Sequence, residues 1–243
     1  MHSDIQSLFS NLWDNYKAVT PSAQEIHCIL GGTQGHKIIN DHIALRTFNL
    51  EKVNLDKLAA HFLALGYTEG GDYNFEAKKL YAKHYEHPDP AAPKVFISEL
   101  LVEKFSPELQ AVVRDIVDQV DPDAVTADNF LYSGTHWKVD YATYKALLAE
   151  SEYAAWVAAW GYRANHFTVN VNRPTCWNNH QLWPTGQMRA LPTRPYRSQA
   201  ASTNLPNVIQ LLMAAFTQDS SRPLRTRFSR AQTPECKTSG HAL

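Results

Sequence analysis

The sequence predicts an α+β fold, a curled mixed β-sheet with helices packed against it. Residues 38–102 read as β, α, β, β, β from the spacing of their apolar positions, a module whose curled sheet makes half of a cup. A second alternating run, far downstream, repeats the opening of the first. Asn40-Asp41-His42-Ile43-Ala44-Leu45-Arg46-Thr47-Phe48 and Ala164-Asn165-His166-Phe167-Thr168-Val169-Asn170-Val171-Asn172 each place a histidine, preceded by Asp or Asn, at the head of a strand-like pattern. Their separation suits equivalent strands of a duplicated sheet. Composition agrees, since 243 residues with 44% apolar and 19% charged content can bury a core in a soluble chain.

Ile5, Leu8, Phe9, Leu12, Trp13 and Tyr16 recur at helical spacing, so residues 5–19 form an amphipathic helix. Thr20-Pro21-Ser22 ends it and opens a short second helix over residues 24–30. Gly31-Gly32-Thr33-Gln34-Gly35 is a turn. No Lys-Ser/Thr pair follows it and no strand precedes it, which argues against a phosphate-binding loop. The first histidine strand comes next. Residues 55–65 form a helix closed by Gly66. Strands are expected at 67–73, 80–87 and 94–102, with turns at Gly70-Gly71-Asp72 and Pro88-Asp89-Pro90. Ser106 and Pro107 open a helix to about residue 120, the serine at its cap and the proline in its first turn. Residues 141–160 make one further helical region closed by Gly161, and the Trp and Tyr side chains of 141–162 are assigned to the core. The second histidine strand follows at once.

A net charge of −1 offers no global attraction to nucleic acid or to an anionic membrane. No apolar run approaches the roughly 18 residues needed to span a bilayer. The first residues lack the basic start and apolar stretch of a signal peptide. Cys28, Cys176 and Cys236 are odd in number and widely spaced, as in a reducing compartment. A cytoplasmic protein is expected, with no nucleic-acid or membrane partner and an oligomeric state the sequence does not disclose.

The pattern changes after Asn172. From Pro174 to Leu243 only Asp219 and Glu235 are acidic, against eight basic residues, and seven of the 13 prolines fall there. Lys237 is the single lysine of this stretch beside seven arginines. The chain therefore divides into 1–173 and an atypical basic tail, 174–243. Three readings of that tail stand: a disordered segment, a divergent loop-rich lobe, or an out-of-frame translation of a C-terminal half.

Within an extended strand, His42, Ala44 and Arg46 share one face while Ile43 and Leu45 take the other. A metal ligand beside an anion clamp makes a site, although a solvated polar face accounts for the same residues. His166, Thr168, Asn170 and Asn172 likewise share a face, opposite Phe167, Val169 and Val171. Two converging histidines and a carboxylate with open positions are the facial arrangement of non-haem iron enzymes. The planar fork of Arg46 matches a carboxylate. Elsewhere, His84 and His87 around Glu86 read as a solvated strand edge. His136 either lines the cup or caps structure. A serine hydrolase has no Gly-x-Ser-x-Gly elbow to support it.

His42-Ile43-Ala44-Leu45-Arg46-Thr47-Phe48, Phe96-Ile97-Ser98-Glu99-Leu100 and Asn165-His166-Phe167-Thr168-Val169-Asn170 resemble the motifs of the 2-oxoadipate dioxygenase/decarboxylase (hydroxyglutarate synthase) family. The resemblance covers residues 1–173. It implies a vicinal-oxygen-chelate-like fold and a non-haem Fe(2+) enzyme of lysine degradation. Such an enzyme takes a small-molecule 2-oxo acid and O2, converting 2-oxoadipate to 2-hydroxyglutarate with loss of CO2. On this resemblance His42 and His166 are metal ligands and Arg46 binds a substrate carboxylate. The family's third ligand is a glutamate near the C-terminus. Glu235 falls at about that distance, although Thr233-Pro234-Glu235-Cys236-Lys237 departs from the motif. Glu99 reads as a structural residue and as the fallback ligand. Two other readings remain: a glyoxalase-like or extradiol-type metal enzyme of the same superfamily, and an inactive truncated homologue.

Overall fold

The alternating runs pair into one mixed sheet of five strands: β1 (Asn40–Phe48), β2 (Thr68–Phe75), β3 (Leu80–Glu86), β4 (Lys94–Leu100) and β5 (Ala164–Val169). Their order is β2-β3-β4-β1-β5. β1 runs parallel to β4, and every other neighbouring pair is antiparallel. This computed structural model describes residues 2–24, 27 and 39–170. The chain divides into two units, Met1–His180 and Gln181–Leu243, and the described residues belong to the first. The α+β class expected from the sequence is the class observed. The expected helix over 24–30, the glycine turn at 31–35, Asn172 and the whole basic tail lie outside the described residues, apart from Gln24 and His27.

Period-two alternation decides which face of the sheet is dry. Ile43 and Leu45 of β1, Val95 and Ile97 of β4 and Tyr85 of β3 are buried on one face, since residues paired in register point the same way. Helix α1 (Ile5–Val19) presents Leu8 and Leu12 to the core and packs on β5, where Trp13 meets Phe167 edge-on at 5.2 Å. Asp4 caps α1 by accepting the Ser7 N–H at 2.7 Å. Helix α2 (Leu55–Leu63) lies on β3 and β4 and buries Leu55, Leu58, Ala59 and Phe62. Past α2 the chain turns through Gly66 at φ +92°, a backbone state suited to glycine.

Helices α3 (Pro107–Asp118) and α4 (Pro122–Val125) follow, each with proline in its first turn and a side-chain cap, Ser106 and Asp121. The single helical region expected over 141–160 is two helices, α5 (Tyr141–Glu150) and α6 (Glu152–Trp160). Ser151 separates them with an extended backbone (φ −146°, ψ 106°). Its N–H still bonds Leu147 O, while its hydroxyl accepts the Ala154 N–H at 3.1 Å. Serine offers the backbone this local alternative to a continuous helix, and alanine-rich flanks hid it in the sequence. Gly161 then reverses the chain straight into β5. Among the described residues no helix is long and apolar enough to cross a membrane.

Candidate active site

Register determines which side chains join His42 on the face away from α2. On β1 that face carries His42, Ala44 and Arg46. Ala44 pairs with His166 on β5 and with Phe96 on β4, and Phe96 pairs with His84 on β3. Arg46 pairs with Ser98, which pairs with Ala82 and so with Tyr73. His42 and His166 are thus diagonal neighbours on adjacent strands, with the small Ala44 leaving room for both rings. Their centroids lie 5.4 Å apart, with ring planes at 80°. The two histidines meet side by side on hydrogen-bonded strands.

The Asx residue before each histidine has a definite task. Asp41 Oδ2 lies 2.9 Å from His42 Nδ1, and Asn165 Oδ1 lies 3.0 Å from His166 Nδ1. An oxygen acceptor at Nδ1 places the proton there and leaves the lone pair on Nε2, the tautomer that binds a metal. Thr168 fastens the two strands at this point. Its hydroxyl accepts the His42 N–H and donates to the His42 carbonyl, both at 3.0 Å, and lies 2.9 Å from Nδ1. His42 is 5% exposed. Burial, then repulsion from His42 and Arg46, lowers the His166 pKa to about 4, so this imidazole is neutral at neutral pH.

Arg46 stands beside this pair, half-buried. Its guanidinium carbon lies 4.9 Å from the Tyr153 ring centroid and 5.0 Å from that of Trp156, both on α6. Burial lowers its pKa, with the Tyr153 and Glu152 charges opposing that shift; arginine stays charged regardless. Among the described residues it forms no ion pair. The assignment of the 141–162 aromatics to the core holds for Tyr162, and Tyr144, Tyr153 and Trp156 pack against that core, the last two also flanking the arginine. Tyr141, at 74% exposure, is not core. The i,i+3 spacing of Tyr153 and Trp156 was visible in the sequence, but nothing local tied it to a residue more than a hundred positions earlier.

Other expectations change as well. Glu99 pairs with Thr47, on the face opposite His42, which removes it as a fallback ligand. Its carboxylate accepts the Leu55 N–H at 2.8 Å and so holds the start of α2, as the structural reading expected. His84 is no solvated edge, because β3 is an inner strand. Its ring stacks on Phe96 at 5.4 Å, bonds Tyr73 Oη at 3.1 Å and lies against Gly70, where a β-carbon would overlap it. His87 follows the end of β3 and packs against Tyr67. His136 bonds Ser133 Oγ at 2.7 Å and packs among Phe130 and Tyr162, a structural position. Among the described residues no group of three or more His, Cys, Asp or Glu is placed to hold a metal ion. Glu235 lies outside them.

Comparison with known proteins adds the context of relatives. A family model described as 2-oxoadipate dioxygenase/decarboxylase matches residues 4–179. The plastid 2-oxoadipate dioxygenase/decarboxylases of Oryza sativa subsp. japonica and Arabidopsis thaliana are each 32% identical to the chain over 183 and 184 residues. Those alignments cover 70% of this chain and 50% of each relative, so the chain spans about half the length of the curated relatives it matches. A crystal structure of a Shewanella frigidimarina NCIMB 400 protein, provisionally described as a hydrolase, is 67% identical with a TM-score of 0.69. That match covers 71% of this chain and 67% of the other. Rice hydroxyglutarate synthase, solved in complex with 2-oxoadipate, is 32% identical with a TM-score of 0.61, over 68% of this chain and 56% of the other.

Proposed function

The chain belongs to the 2-oxoadipate dioxygenase/decarboxylase family, and from that membership we propose an iron(II)-dependent oxygenase acting on a 2-oxo dicarboxylic acid. The proposed reaction takes 2-oxoadipate and O2 to 2-hydroxyglutarate and CO2. One observation carries the reading for this chain: His42 and His166 lie side by side, each with Nδ1 within hydrogen-bond distance of an oxygen of the preceding side chain. Two imidazoles so held suit a divalent transition metal.

His42 and His166 would hold the iron through Nε2. The third ligand is assigned to a carboxylate outside the described residues, with Glu235 as the candidate. Iron(II), when bound, supplies O2 activation and the redox capacity for decarboxylation. The residues of the chain do the rest. Asp41 keeps the His42 proton on Nδ1 and orients the ring, and Asn165 does the same for His166. Desolvation keeps protons off His166 Nε2 at neutral pH. Arg46 attracts a carboxylate of the dianionic acid, and its half-buried setting strengthens that attraction over the same pair in water. The rings of Tyr153 and Trp156 stand against the guanidinium, at 4.9 and 5.0 Å from its carbon.

Metal analysis of the purified full-length chain tests the reading. Near-stoichiometric iron in wild type, lost in His42→Ala and His166→Ala, is the expected result; an iron-free wild type after anaerobic loading would overturn it. O2 uptake with 2-oxoadipate, and none with a methylglyoxal–glutathione adduct, separates an oxygenase from a glyoxalase-like isomerase.

A further inference from the structure

We propose that Tyr153 is a positioning residue for Arg46, and that its grip sets a preference for 2-oxo acids carrying a second carboxylate. The inference rests on the functional reading above.

Tyr153 holds Arg46 at both ends. Its hydroxyl accepts the Thr47 N–H at 3.1 Å, which is the amide of the Arg46–Thr47 peptide. The same hydroxyl donates to the Ser98 carbonyl at 2.7 Å and lies 3.0 Å from Ser98 Oγ. Ser98 is the register partner of Arg46, so this one oxygen bridges β1 and β4 at the arginine's own row. The ring of Tyr153 then offers its face to the guanidinium, and Trp156 offers a second face from three residues along α6. Residues at i and i+3 stand on the same side of a helix. The Ser151 cap sets where α6 begins and hence where both rings lie.

A free arginine loses rotamer freedom when it takes hold of an anion, which weakens binding. An arginine already held against two rings, with its backbone tied to the next strand, loses little. The benefit falls only on a ligand that uses the guanidinium. A 2-oxo acid chelates a metal through its 2-oxo and adjacent carboxylate oxygens, leaving the far carboxylate as the group for Arg46 to select. A tyrosine serving only as core packing would affect every ligand alike.

The test is an anaerobic titration of the iron(II)-loaded full-length chain with 2-oxoadipate and with 2-oxohexanoate, which has the same carbon chain without the second carboxylate. Wild type is expected to favour the diacid. Tyr153→Leu should reduce that preference by about tenfold, the scale of a partly desolvated cation–π contact. Most of the loss should fall on the diacid. Tyr153→Phe keeps the ring and removes the hydroxyl bridge, so it should lose less, about threefold. An undiminished preference in Tyr153→Leu sinks the inference and leaves the functional reading intact. Where Tyr153→Leu does not fold, Tyr153→Phe and Trp156→Leu decide the matter, and wild-type preference in both overturns the inference. A wild type that binds neither acid removes the functional reading and this inference with it. Side-chain NMR of Arg46 gives a ligand-free check: ring-current shifts in wild type should shrink in Tyr153→Leu to what Trp156 alone imposes, and unchanged shifts count against the cage.

Discussion

Burial makes His166 a poor base, with a pKa of about 4, whereas an unfolded histidine titrates near 6.5. Between those values the unfolded chain carries a proton that the folded chain does not. Stability therefore rises with pH through that window and is fully present above it. In the metal-free protein, lowering the pH from 7 to 5 should cost about 2 kcal/mol through this residue. Denaturant unfolding at the two pH values checks it, with His166→Asn expected to lose that much less. At this scale the sequence displayed the residue types. Asp41-His42 and Asn165-His166 were readable as a repeated motif, yet the proton on Nδ1 follows only from distances of 2.9 and 3.0 Å.

Helix α6 joins the arginine clamp to the strand bearing His166, and its two ends are the vulnerable points. Gly161 closes it at φ 66° and ψ −149°, a region open essentially to glycine alone. A β-carbon there would also overlap the Gly134 carbonyl, whose partner in a two-way backbone bridge is Tyr162. Gly161→Ala should destabilise by about 2–4 kcal/mol, read as a lower denaturation midpoint, and should weaken iron binding by displacing β5. At the other end, Ser151→Ala should cost about 1 kcal/mol of unfolding free energy, because the cap of α6 is lost. An unchanged midpoint in either variant would show that these ends do not set the geometry. Helix α1 was legible in full, since its amphipathic period is local. The break at Ser151 was not, because an Ala-rich stretch reads as continuous helix until the serine's partner is known.

For the molecule as a whole, metal and fold should be linked. A ligand that binds the folded chain alone stabilises it by about 2.7 kcal/mol at a hundred times its dissociation constant. Adding iron(II) anaerobically should raise the melting temperature of wild type and leave that of His42→Ala unmoved; equal shifts in both would place the metal elsewhere. Glu235→Gln is the companion measurement. Loss of iron matching that of His42→Ala identifies the third ligand, and full retention excludes Glu235.

The sequence by itself determined the α+β class, the identity of the two histidines and the arginine, and their common side of each strand, since period-two alternation is a property of the chain. Tertiary structure decided what each of them meets. Pairing β5 beside β1 brings His166 to Ala44, next to His42, and pairing β4 on the other side turns Glu99 away from both. Folding α6 back brings Tyr153 and Trp156 onto Arg46. Such contacts depend on strand register and helix placement, which are settled by packing between distant segments and leave no mark in the local order of residues.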